Sequence, residues 1–162
     1  MNDHLMAGSE KFNTGFIDSG TTFTYFPHEL YDIIRTHFEL FCEDHGCEVE
    51  ENICFQYDQN AYQEGPLEYF KKFPTLKFKL PSANGTEFDF VWYASEYLYH
   101  RRSDKYCFAA DTQRSNEIMM GGTLIRQHNL VFDIDNNQVG FAHAVCNSDS
   151  NQVFTSTTID SF

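Results

Sequence analysis

The amino-acid sequence predicts a mainly β domain with one longer helix, and three observations carry that prediction. Apolar or aromatic runs at 74–80, 86–93, 106–111, 117–120, 128–134 and 138–144 are divided by turn signals such as Asn84-Gly85, as expected of short strands in succession. Before them, Leu30, Ile33, Ile34, Phe38 and Phe41 lie on one helical stripe behind Pro27. Proline suits the first position of a helix, so a helix is expected over about 28–41, with its stripe packed in the core. Of 162 residues, 41% are hydrophobic and 17% aromatic, with Phe and Tyr dominant; such a chain can bury a core of its own and is not disordered.

The elements follow in order. Residues 1–13 are polar and read as a loose segment, the domain proper spans 14–146, and residues 147–162, rich in Ser, Thr, Asn and Asp, read as a mobile polar tail. Phe16 and Ile17 are strand formers that deliver Asp18 to a tight turn. Asn136-Asn137 marks the tip of a hairpin between two of the apolar runs. Asn84-Gly85-Thr86 is both a hairpin tip and an N-glycosylation sequon, and the turn alone explains it equally well.

Charge excludes some functions. The formal net charge is -13, from 11 basic and 24 acidic residues, which argues against binding nucleic acid or an anionic membrane surface. There is no run of 18 apolar residues, and Met1-Asn2-Asp3-His4 lacks the basic-then-apolar order of a signal peptide.

The chemistry centres on Phe16-Ile17-Asp18-Ser19-Gly20-Thr21-Thr22. Ser19, Gly20 and Thr21 offer a backbone that turns sharply, with open amides and small hydroxyls able to hold a carboxylate ionised. A hundred residues on, Ile118-Met119-Met120-Gly121-Gly122-Thr123-Leu124-Ile125-Arg126-Gln127-His128 leads into Leu130-Val131-Phe132-Asp133 and then Val139-Gly140-Phe141-Ala142. Taken together, these parts closely resemble the carboxy-terminal lobe of the pepsin-like aspartic proteases. Pro27-His28-Glu29-Leu30-Tyr31 and Phe73-Pro74-Thr75-Leu76-Lys77-Phe78 match further segments of that lobe, from about Gly15 to Cys146. The beta-secretase, plant pepsin-like and protist plasmepsin branches look most similar.

The resemblance implies the fold of a single pepsin-like lobe, with short helices near 95–98 and 122–127. It implies that Asp18 is one of two catalytic aspartates, that Gly20 allows a close backbone approach, that Thr21 bonds across to a partner lobe, and that Gly121 threads beside the turn. Ser19 completes the turn, while Thr22 and Ile125 help line a substrate cleft. No second Asp-Ser/Thr-Gly exists: Asp111-Thr112-Gln113 lacks the glycine, and Asp44-His45-Gly46 sits in a cysteine loop beyond the helix. The chain is therefore expected to be a fragment, with Met1 an internal residue. The missing carboxylate then comes from an amino-terminal lobe or a second copy. No metal or other cofactor is needed, because two facing carboxylates can activate water themselves.

Five cysteines leave one unpaired. Cys42 and Cys47 are close enough to close a small loop. The family pattern maps a disulfide onto Cys54 and Cys107, and Cys146 is left without a partner. Five reduced cysteines of a cytosolic protein remain the alternative. Cys42-x2-His45-x-Cys47 lacks the paired spacing of structural zinc, and Asp133-x-Asp135-x-Asn137 fails as a calcium loop at Gln138 and Ala144.

The expected function is an aspartic endopeptidase acting on an extended peptide, in the secretory pathway, outside the cell or in an acidic vacuole or lysosome, with membrane anchorage of a longer protein left open. The alternatives are a catalytically inactive lone lobe serving as an interaction module, and a homodimeric protease.

Overall fold

A computed structural model describes residues 14–63, 65–102, 104–144 and 160–161. The loose segment at 1–13, Cys146 and nearly all of the expected mobile tail lie outside the described residues.

The chain opens on β1 (Gly15–Ile17), turns, and continues through β2 (Thr24–Pro27) directly into α1 (His28–His45). Leu30, Tyr31, Ile34, Phe38 and Cys42 form the buried stripe of α1, with Ile33 and Phe41 half-buried beside it. The helix runs one turn beyond the expected end because Gly46 is the first residue that leaves the helix easily; it adopts φ 67°, and its amide donates to the Cys42 carbonyl. Pro27 differs slightly from expectation, closing β2 as the residue before the helix instead of being its first helical position.

Next come β3 (Cys54–Gln56), α2 (Pro66–Phe70), β4 (Leu76–Pro81), β5 (Glu87–Trp92), α3 (Ala94–Tyr97), β6 (Leu98–Arg102), β7 (Lys105–Phe108) and β8 (Ala110–Gln113). The chain ends through β9 (Ile118–Met120), α4 (Gly122–Ile125), β10 (His128–Asp133), β11 (Gln138–His143) and the two-residue β12 (Asp160–Ser161). Strands dominate, as expected of a single pepsin-like lobe, and the two short helices fall within residues of their expected places.

Among the described residues the strands form four sheets, ordered β1-β9-β2-β8, β10-β11-β12, β3-β7-β6 and β4-β5. The apolar run at 106–111 divides between two of them. Its first part is β7; after the fully buried Ala109, whose amide donates to the Tyr97 carbonyl at 2.7 Å, the chain switches sheets as β8.

Aromatic rings fill the space between α1 and the sheets. Phe38 meets Phe55, Phe108 and Tyr97 with centroids 5.3, 5.6 and 5.8 Å apart, and Trp92 and Phe26 are fully buried beside them. Each buried ring contributes roughly 1.5–3 kcal/mol from area alone, so this cluster anchors the four-stranded sheet on which Asp18 is mounted.

Candidate active site

β1 lies parallel to β9, with Ile17 opposite Met120, and the Asp18 amide donates to the Met120 carbonyl at 3.0 Å. Asp18 is thus pinned at a strand end before its turn begins. Its Oδ1 accepts the Gly20 amide at 2.9 Å and its Oδ2 accepts the Thr21 hydroxyl at 2.6 Å, while the Thr21 amide closes the turn on the Asp18 carbonyl at 3.2 Å. These donors, the Thr21 hydroxyl foremost and then the Gly20 amide, hold the Asp18 carboxyl below its ordinary 3.8 against a small opposing effect of burial. The group is half-buried, and Ser19, Gly20 and Thr22 beside it are exposed. Its carboxylate stands on a rigid turn at the surface, outside the closed core.

The Thr21 hydroxyl donates its hydrogen to Asp18 within this chain, and its oxygen lone pairs remain available to a neighbour.

Gly121 crosses directly behind the turn. A Cβ at this position would lie 2.0 Å from the Phe23 carbonyl oxygen and 2.9 Å from that of Thr21, a space only glycine can occupy. Two bonds lock the crossing: the Gly122 amide donates to the Thr21 carbonyl at 2.7 Å and the Thr123 amide to that of Thr22 at 2.9 Å. Gly20 is less constrained, since a Cβ there would meet only Asp18 Oδ1, at 3.2 Å. Ile125, half-buried, packs on the core at the end of α4, and Thr22 faces solvent. The structure therefore gathers Asp18, Ser19, Gly20, Thr21, Thr22 and Gly121 into one constellation, with Ile125 one helical turn behind it.

Sequence reasoning missed Thr24 and Thr123, both buried. The Thr123 hydroxyl donates to the Ala109 carbonyl at 2.7 Å and accepts the Thr24 amide at 3.1 Å, so it fastens β2 and β8 to the segment holding Gly121. A lone threonine after two glycines gives no sequence signal for this. Also unforeseen is a cavity of about 190 Å³ walled by Phe23, Tyr31, Tyr99, Arg101 and Asp111, which begins one residue beyond Thr22.

Two disulfides join Cys42 to Cys47 and Cys54 to Cys107. The second links register partners on β3 and β7. The first consumes both thiols of the Cys-x2-His-x-Cys stretch, and His45 is engaged with the Phe41 carbonyl at 2.8 Å. Asp133 accepts the Asn136 amide and side chain at 3.1 and 2.7 Å, stiffening the expected hairpin turn. No helix among the described residues is long and apolar enough to cross a membrane.

Comparison with known proteins agrees with this geometry. The family model described as xylanase inhibitor C-terminal matches residues 2–143. Among curated relatives, plasmepsin V of Plasmodium falciparum is 25% identical over 158 residues, covering 82% of this chain and 27% of its own length. Aspartic proteinase 39 of Arabidopsis thaliana is 28% identical over 145 residues, covering 82% and 27%. The beta-secretase of Strongylocentrotus purpuratus is 28% identical over 161 residues, covering 90% and 29%. The chain thus spans little more than a quarter of the length of these relatives. With its carboxylate turn threaded by Gly121, its mostly stranded lobe and its match across nearly the whole sequence, the chain belongs to the xylanase inhibitor C-terminal family, whose fold is the carboxy-terminal lobe of the pepsin-like proteins.

Proposed function

We propose that this chain is the carboxy-terminal half of an aspartic endopeptidase and supplies one of two catalytic carboxylates, Asp18. The observation that carries the reading is the turn itself. A surface carboxylate, held ionised by the Thr21 hydroxyl and the Gly20 amide, is mounted on a backbone that Gly121 locks in place.

The chemistry follows from bringing a second carboxylate to face Asp18. Two such groups cannot both ionise, so the pair shares one proton. The hydrogen bonds from Thr21 and Gly20 favour the charged form at Asp18, and the ionised member of the pair draws a proton from the intervening water. The protonated partner donates to the carbonyl oxygen of the scissile amide as that water attacks. The pair then titrates as a unit, with apparent constants belonging to neither residue alone. Thr22 and Ile125 border the cleft in which an extended peptide lies. The partner is an amino-terminal lobe, consistent with the share of its relatives that the chain spans. Two disulfides fit assembly in an oxidising compartment, which supports a secretory or acidic vacuolar setting for the enzyme.

A second reading rests on the family description, which names an inhibitor: a lone lobe that binds without turnover. Reconstitution separates the two. The chain is assayed for peptide hydrolysis at acid pH alone, and again after assembly with an amino-terminal pepsin-like lobe bearing its own Asp-Thr-Gly. Activity only in the assembly, blocked by pepstatin, supports the endopeptidase. Activity of the chain alone that rises with the square of its concentration assigns the missing carboxylate to a second copy. Absence of activity in both, with the assembly formed, favours the non-enzymatic lobe.

A further inference from the structure

The β4–β5 hairpin plays no part in the carboxylate turn, yet its tip is ordered in a distinctive way. Asn84, Gly85 and Thr86 are exposed, with Ala83 and Glu87 exposed on either side. The Ser82 amide donates to the Thr86 carbonyl at 2.8 Å and the Gly85 amide to the Ser82 carbonyl at 2.9 Å, which closes the turn. Gly85 takes φ 80°, a conformation that costs most side chains, and open space surrounds it. Within that turn Asn84 Oδ1 accepts both the Thr86 amide, at 3.0 Å, and the Thr86 hydroxyl, at 2.6 Å. Both bonds engage the oxygen of the amide and neither engages its nitrogen.

We propose that Asn84 is an acceptor of N-linked oligosaccharide. Asn84-Gly85-Thr86 is the sole Asn-x-Ser/Thr triplet without proline in the 162 residues. Such a site needs three things: an exposed asparagine, a hydroxyl two residues on that can reach the carboxamide, and a turn that a transferase can approach from solvent. The hairpin tip supplies all three. An independent observation supports the compartment, since the cross-strand disulfide between Cys54 and Cys107 and the loop disulfide between Cys42 and Cys47 belong to an oxidising lumen. In the transfer, Asn84 Nδ2 attacks C1 of an oligosaccharide carried on a polyprenyl diphosphate. The C1–N bond forms as the C1–O bond to phosphate breaks, the lipid diphosphate leaves, and one proton passes from Nδ2 to a base on the transferase. The two-stranded sheet that bears the tip is separate from the four-stranded sheet that bears Asp18, so the sugar projects from a part of the lobe not used by the turn.

The test is expression of the full chain behind an added secretion leader in a eukaryotic host, with disulfide formation checked by thiol labelling. Treatment with peptide-N-glycosidase is expected to sharpen and lower the band to a single species, and peptide mass analysis to find Asn84 converted to aspartate. Asn84→Gln and Thr86→Ala are expected to abolish the shift, whereas Thr86→Ser preserves it. An unmodified Asn84 peptide in chains whose disulfides have formed overturns the proposal. So does a glycosidase shift that survives both Asn84→Gln and Thr86→Ala.

Discussion

Replacing Gly121 by alanine should be among the most damaging single changes in this chain, although it adds only one methyl group. The new Cβ would sit 2.0 Å from the Phe23 carbonyl oxygen and 2.6 Å from its carbon, about 1.3 Å inside ordinary carbon–oxygen contact. Both atoms are backbone and cannot rotate away, so the two segments must separate. Separation strains or breaks the Gly122 to Thr21, Thr123 to Thr22 and Asp18 to Met120 bonds, now 2.7, 2.9 and 3.0 Å long. At about 1 kcal/mol net for each, plus about 1–3 kcal/mol for forced overpacking, the cost is about 4–6 kcal/mol. That is a large part of the total stability of a domain this size, about 5–15 kcal/mol. Urea unfolding of Gly121→Ala and Gly20→Ala would measure it. Gly20→Ala meets only the end of the Asp18 side chain at 3.2 Å and should cost about 1 kcal/mol or less, as expected where a contact can yield. If Gly121→Ala unfolds within about 1 kcal/mol of the parent, the threading of β9 behind the turn does not hold the site as described.

Three further outcomes are expected. Thr21→Val removes the largest cause of the lowered Asp18 constant, so the Asp18 titration followed by carboxyl carbon NMR should move up toward 3.8. Because a lowered carboxylate stabilises the fold above its unfolded constant, and that contribution fades as pH falls through the folded value, the variant should be less stable than the parent near neutral pH, with the difference shrinking as pH falls; an unmoved titration would contradict the hydrogen-bond account. Removing the Cys54–Cys107 disulfide, whose cysteines lie 53 residues apart, should cost about 4 kcal/mol, against about 2 kcal/mol for Cys42–Cys47, only 5 apart; equal unfolding midpoints for Cys54→Ser/Cys107→Ser and Cys42→Ser/Cys47→Ser would count against loop entropy as the cause. Burial pushes His128 below its usual 6.5, with its ring 4.7 Å from that of Phe90. The unfolded chain therefore takes up the proton first as pH falls below about 6.5, and stability drops there. His128→Phe should flatten that part of the stability profile, and an unchanged slope would refute the assignment.

The carboxylate turn was legible in the sequence because its residues act over a few positions: Asp18, Gly20 and Thr21 bond to one another within one turn. Gly121 was legible only through the resemblance to the pepsin-like lobe, since nothing in Ile118-Met119-Met120-Gly121 by itself shows which backbone the glycine passes. What sequence could not supply was long-range partnership. Thr123 reaches Thr24 across 99 positions, and nothing local marks either residue as buried. The strand run at 106–111 reads as one element because Tyr106 to Ala110 are all apolar or aromatic with no turn residue among them, yet Ala109 is where the chain leaves one sheet for another. α2, five residues long, is too short to show a helical period. The extra turn of α1 was missed because the apolar stripe fades after Phe41, while the helix persists until Gly46 permits a left-handed exit.

The most direct test of Asp18 as half of a catalytic pair is the effect of Asp18→Asn on peptide hydrolysis by the chain assembled with an Asp-bearing amino-terminal lobe. Asparagine keeps the shape, and its Oδ1 can still accept the Gly20 amide while the Thr21 hydroxyl turns to accept from Nδ2, but it cannot take a proton from water. The expected result is intact assembly, with the rate reduced by at least about 10²–10⁴-fold at every pH. Turnover within a few-fold of the parent would contradict it.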